Sequence, residues 1–197
     1  VAVLAMFSLP VLPRPNHTSL PKKLKYTDPR IFPLIVAGVL LFMGFAIVQQ
    51  TIAFRFQDTF ALNSTDTAKI VGFSLMISAA SALLVQMLLI PRLLRLSMPI
   101  MMVAFAILAS GDTKFQFMSA MCVLGLGLGI AGPGFMAGVS VAVSSDEQGA
   151  VAGIAGACPP LGFAVGPLLG SYLYAIDASL PYWFSFSCYL LVFFFTL

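Results

Sequence analysis

The sequence predicts an all-α membrane protein, a bundle of six transmembrane helices, and three observations predict it. The chain of 197 residues is 60% hydrophobic and only 9% charged, and its mean hydropathy is +1.02. A soluble domain is about 45–50% apolar and about 25% charged, because its outer layer must face water. The apolar residues gather into runs near the ~20 residues that a spanning helix needs, separated by short polar breaks. The charges collect in those breaks. Five of the ten Lys and Arg lie in one stretch, Arg14, Lys22, Lys23, Lys25 and Arg30.

Taken in order, residues 1–12 are apolar, too short to cross a bilayer, and lack the basic leader of a signal peptide. They are expected to be the tail of a truncated transmembrane helix. Residues 13–30, PRPNHTSLPKKLKYTDPR, carry prolines at both ends and a basic centre, and are expected as a linker loop in water. Residues 31–197 then hold six spans, at about 31–56, 70–90, 96–110, 115–143, 150–174 and 182–197. Pro91-Arg92 ends the second, and the third must borrow from the preceding LLRL to reach across. GDTK turns the chain into the long fourth span, SSDEQG precedes the fifth, and AIDASLP precedes a short sixth.

Loop charges orient the bundle, since Lys and Arg accumulate on the cytoplasmic side. With 13–30, 91–96 and 144–149 inside, the inner breaks hold seven basic residues, and the outer ones hold only Arg55, Lys69 and Lys114. A net charge of +3, so local, is no nucleic-acid footprint. Cys122, Cys158 and Cys188 sit singly in apolar runs, which suits packing rather than a disulfide or zinc framework. The single histidine, His17, lies in the basic loop. No acid–base pair or nucleophile constellation is assembled, so no enzyme, metal or cofactor is expected.

Polar residues inside spans are costly and usually face protein or a water-filled cavity. Gln49, Gln50 and Thr51 fall in the outer half of the first span, followed by Arg55, Gln57 and Asp58. Gln50, Phe54 and Gln57 share one helical face, a stripe able to hydrogen-bond and stack with a cargo. The competing reading is that these glutamines, and Gln86 in the second span, bond neighbouring helices. Arg55 and Asp58 are spaced for a local ion pair, and Asp58 is also a candidate protonation site.

The fourth span contains VLGLGLGIAGPGFMAGVSVAV, with small residues four apart at Gly125 and Gly129 and again at Gly134 and Gly138; such spacing permits close helix contact. Pro133 is expected to kink it. In the fifth span Gly162, Gly166 and Gly170 lay a groove along one face, and Pro159-Pro160 and Pro167 are expected to bend or locally unwind the helix. Gly129, Pro133, Gly162, Gly166, Pro167 and Gly170 are therefore candidate hinge and packing positions. In SSDEQG, Ser145-x-x-Gln148 fits a capping box, with Asp146 and Glu147 complementing the helix dipole. The same loop, together with the break at 91–96, is a candidate cytoplasmic gate, through Arg92, Arg95, Asp146, Glu147 and Gln148.

The run GLGLGIAGPGFMAGVSVAVSSDEQGAVAGIAG…GFAVGPLLGSYLY resembles the tenth and eleventh helices of the major facilitator superfamily, closest to its drug:proton antiporter, tetracycline-efflux-like branch. The span ending QQTIAFRFQD resembles the seventh helix of that branch. The resemblance covers essentially the whole chain, from the end of the sixth helix to the twelfth. It implies the C-terminal half of a twelve-helix transporter that works by alternating access, with the seventh and tenth helices lining a central cavity. It further implies a small-molecule substrate and protons as partners, a missing N-terminal six-helix half, and a multi-pass protein of a bacterial inner membrane exporting hydrophobic or amphipathic compounds. Gly166-Pro167-Leu168-Leu169-Gly170 is similar to a degenerate antiporter motif. Where the family carries a loop motif of roughly G-x-L-x-D-R-x-G-R, this chain has LLIPRLLRL, which keeps Arg92 and Arg95 and lacks the glycine and aspartate. No acidic residue lies deep in a span, so a proton-titrating group is expected in the other half. The alternative is a multi-span scaffold or receptor subunit that moves nothing, in which the glutamines all contact neighbouring helices.

Overall fold

A computed structural model describes residues 24–88 and 94–195, so the expected helix tail at 1–12 and most of the basic loop lie outside the described residues. Among the described residues there are six α-helices and no strand: α1 (Phe32–Phe60), α2 (Ser64–Leu88), α3 (Leu94–Ser110), α4 (Lys114–Val141), α5 (Gln148–Ile176) and α6 (Leu180–Phe195). A 3-10 turn, Ser145–Glu147, leads into α5. Four segments are long and apolar enough to cross a membrane: α1, α2, α4, and α5 with its leading turn. The shorter apolar helices α3 and α6 have 17 and 16 residues. The molecule is an all-helical, membrane-embedded bundle.

The helices outrun the apolar segments. The first was expected to stop near residue 56 and the second to begin at 70, with a polar loop between. Instead α1 runs to Phe60 and α2 starts at Ser64, leaving only Ala61–Asn63 as connection. Polar residues continue a helix wherever its backbone bonds can be closed, and here local chemistry closes both ends. Ala61 takes a left-handed conformation (φ 48°) and its N–H bonds back to the Gln57 carbonyl, as a C-terminal cap requires. Asn63 Oδ1 accepts from the Asp66 N–H at 2.8 Å, satisfying one of the free donors that open a helix. α4 opens on a capping box in which Thr113 Oγ1 accepts from Gln116 N (3.2 Å) and Gln116 Oε1 accepts from Thr113 N (3.0 Å). The expected local unwinding of α5 is absent. Helical structure continues through Pro159, Pro160 and Pro167, as it does through Pro133 in α4.

Two parallel pairs organise the bundle. α1 and α5 share the most extensive interface, and they run the same way: Gly162 lies on Met43, Gly166 on Ala46 and Gly170 on Ile47. Glycine is required at the first two. A Cβ on Gly162 would stand 2.7 Å from the Met43 backbone nitrogen, and one on Gly166 would stand 2.8 Å from the Met43 carbonyl oxygen. α2 and α4 form the second parallel pair, Gly125 resting on the Ser78 backbone and Gly129 on Ala82 and Val85. α3 packs on α4 and α6 and closes the side of the bundle. The main core joins α1, α3, α4 and α6 through Phe56, Phe105, Phe117, Tyr182 and Tyr189, all buried. The Tyr189 hydroxyl donates to the Leu41 carbonyl, so its polar end is satisfied inside apolar packing. A smaller cluster at the other end gathers Ile31, Phe135, Val139, Val151 and Ile154.

Candidate functional site

The polar stripe of α1 faces outward from the bundle. Gln49, Gln50, Gln57 and Asp58 are exposed, as is Phe54, and the three glutamines make no side-chain hydrogen bond to the described residues. Ala46 is the midpoint of Phe32–Phe60. Gln50 lies one turn beyond it, ~6 Å along the axis at 1.5 Å per residue, within the ~30 Å hydrocarbon layer of a bilayer. Gln57 and Asp58 lie ~17 Å out, where that layer ends.

Beside the stripe stands Tyr174, near the end of α5. Its hydroxyl donates to Asp58 Oδ2 at 2.7 Å, and its ring meets Phe54 at a centroid distance of 5.7 Å. The parallel run of α1 and α5 brings these residues together. Sequence reasoning missed Tyr174, which ends an apolar span and carries no spacing signal toward Asp58.

The Arg55–Asp58 ion pair expected from spacing does not form. Spacing three apart puts two Cα atoms near each other, but their side chains follow different packing. Arg55 turns into the bundle, where Nη2 donates to the carbonyls of Ala109 and Gly111 (both 3.4 Å) at the end of α3. Its Cζ lies 5.7 Å from the Phe117 ring centroid, within reach of a cation–π attraction. Asp58 turns to Tyr174. Gln86 is exposed on α2 and hydrogen-bonds none of the described residues.

At the opposite end the capping box is one residue earlier than expected. Ser144, in extended conformation, is the cap, and Glu147 rather than Gln148 reaches back to it. Glu147 Oε2 accepts from Ser144 Oγ (2.9 Å) and Ser144 N (3.2 Å). The register shifts because Ser145–Glu147 winds as a 3-10 turn before α5. Glu147 is buried and also takes a two-pronged contact from Arg30, Nη1 to Oε2 and Nη2 to Oε1, each 3.2 Å. Asp28 holds the other edge of the same guanidinium, at 3.1 Å to Nε and 2.8 Å to Nη2. Arg30, with Ser144, keeps the Glu147 carboxyl near a pKa of about 2. Arg30 also holds Asp28 below its ordinary range, and the two carboxylates raise the guanidinium in turn.

Of the three expected gate residues whose side chains are described, only Glu147 hydrogen-bonds a distant segment, and its partner there is Arg30. Asp146 and Gln148 are exposed. Arg92 lies outside the described residues, as does the side chain of Arg95. Among the described residues no group of three or more His, Cys, Asp and Glu is placed to hold a metal ion. Cys158 is buried, Cys122 and Cys188 are half-buried, and all three are free thiols.

No protein-family model matches the chain, and a comparison with curated proteins finds no match either.

Proposed function

We propose that this chain is half of a secondary transporter that moves small molecules by alternating access, acting as a proton-coupled exporter of hydrophobic or amphipathic compounds in a bacterial inner membrane. The observation that carries the proposal is the depth and exposure of Gln50. A carboxamide that hydrogen-bonds none of the described residues, ~6 Å from the middle of a spanning helix, is unfavourable against lipid tails and favourable against water or cargo. Phe54, Gln57, Asp58 and Tyr174 continue that surface toward the outer end, alternating aromatic faces with hydrogen-bonding groups.

α2 and α5 show the least buried faces of the four long helices, with Met76, Leu83 and Met87 on one and Leu168 and Tyr172 on the other. These are the faces that an N-terminal six-helix half would cover.

The test places a cysteine at position 50 of the full-length protein, with Cys122, Cys158 and Cys188 replaced. A membrane-impermeant thiol reagent is expected to label Q50C in bilayers, and bound substrate is expected to slow the labelling. A Q50C that stays unlabelled from both sides, while Q50L exports normally, sinks the cavity assignment. Labelling that no substrate slows would favour the non-transporting scaffold.

A further inference from the structure

An open groove lies between the first two turns of α1 and the end of α6. Phe32, Pro33, Val36 and Ala37 form one wall and Leu191 and Val192 the other, around about 430 Å³ of space. All six side chains are apolar, and Phe32, Val36 and Leu191 are exposed. The α1 residues open the long apolar run of that helix, so the groove begins where the hydrocarbon layer meets the headgroups.

A basic segment leads into the same end. Arg14, Lys22, Lys23, Lys25 and Arg30 precede α1, with Asp28 the only acid among them. Arg30 is spent on Asp28 and Glu147. Lys25 is exposed, and among the described residues no acid lies within ion-pair distance of it. Two backbone turns fix its place beside the groove. The Asp28 N–H donates to the Lys25 carbonyl at 3.0 Å, and the Phe32 N–H donates to the Asp28 carbonyl at 2.9 Å. Each such turn brings its end Cα atoms within ~7 Å, so the Lys25 Cα stands within ~14 Å of the Phe32 Cα. Tyr26, next to Lys25, is exposed as well, and tyrosine gathers at the headgroup level of a bilayer.

We propose that this end of the bundle binds an anionic phospholipid, with an acyl chain in the α1–α6 groove and the phosphate at Lys25. The groove offers no hydrogen-bonding side chain and so suits hydrocarbon alone. A phosphodiester just beyond it supplies the negative charge that Lys25 lacks. Basic clusters immediately outside a spanning helix attract anionic lipid in this way, and Lys22 and Lys23 add charge of the same sign. A zwitterionic lipid brings its own cation to the lysines and gains less. The inference needs the bundle to lie in a membrane and does not use the transport reading.

The test places a benzophenone amino acid at position 36 of the full-length protein, in vesicles of equal phosphatidylglycerol and phosphatidylcholine with matched chains. A second protein carries the same probe at position 103, on the exposed middle of α3. Irradiation is followed by mass spectrometry of the adducts. Position 36 is expected to capture phosphatidylglycerol about fivefold over phosphatidylcholine, the effect of one lysine at an anionic surface. Position 103 is expected to capture the two alike. K25Q should move position 36 toward equal capture while lipid adducts persist. The two lipids compete within one sample, so the ratio is independent of how much protein is folded. Equal capture at position 36 in the parent overturns the proposal, as does a preference that K25Q leaves intact. A preference of the same size at position 103 overturns it too, because the enrichment would then belong to the whole protein surface. An adduct at position 36 to protein rather than lipid, from a second copy or from another segment of the chain, also sinks it.

Discussion

Glu147 serves two neighbours at once. It closes the cap that begins α5, and it receives the guanidinium of Arg30 from 117 positions earlier in the chain. Its pKa lies at about 2 against an ordinary 4.5, Arg30 being the larger cause and Ser144 the next. Because the folded value is the lower one, the stabilisation is complete above about pH 4.5 and is lost as pH falls toward 2. Thermal unfolding followed from pH 6 downward should therefore show a midpoint that drops through this window, and E147Q should flatten part of that drop. An unchanged slope in E147Q would show that the pair does not stabilise the fold. The residue scale is also where sequence reasoning was weakest. It named Glu147 as a gate residue, yet could not find Arg30 as its partner, because nothing local relates two charges so far apart. It paired Arg55 with Asp58 by spacing, whereas each side chain went to the partner that packing supplied.

Small residues at four-residue spacing were legible in the sequence, and α5 explains which of them matter. Gly162, Gly166 and Gly170 lie against α1, whereas Gly149, Gly153 and Gly156 on the same helix have no atom within 4 Å of where a Cβ would stand. The distinction is one of face. Gly162→Ala should cost roughly 1–3 kcal/mol, the usual penalty for overpacking, because its new carbon meets main-chain atoms that cannot step aside. Gly153→Ala should be neutral or slightly stabilising, since alanine is the better helix former. The two midpoints measured side by side in detergent decide the point, and equal values would remove the α1–α5 seam from the account. At the start of α4, Thr113→Ala deletes the cap oxygen and should cost about 1 kcal/mol, read as a lower midpoint with unchanged helix content. Helix ends were placed less well than helix centres. Apolar runs report depth in the bilayer, while caps such as Ala61, Asn63 and Ser144 decide where winding stops.

Across the whole molecule, the ends of the helices sort into two sides. Arg30 meets Glu147 on one, and Arg55 and Lys114 reach Gly111 and Phe60 on the other. The positive-inside bias of the sequence predicts that the first side faces the cytoplasm. Single cysteines at the exposed turn positions Asp146 and Asp112 should then be labelled from opposite faces of the membrane, position 146 only after the cytoplasmic side is opened. Labelling of both from one face would overturn the alternating topology. Composition and run length determined by themselves that this is a helical membrane protein and roughly where its six helices lie. Those properties follow from the free energy of moving each segment between water and lipid, which depends on local residue content. The tertiary structure alone decided that α1 and α5 run parallel as a seam. It also decided that Gln50 hydrogen-bonds none of the described residues, that Tyr174 joins Asp58, and that Arg55 turns to the end of α3. These depend on which faces meet across the bundle, and hydropathy along the chain carries no term for that.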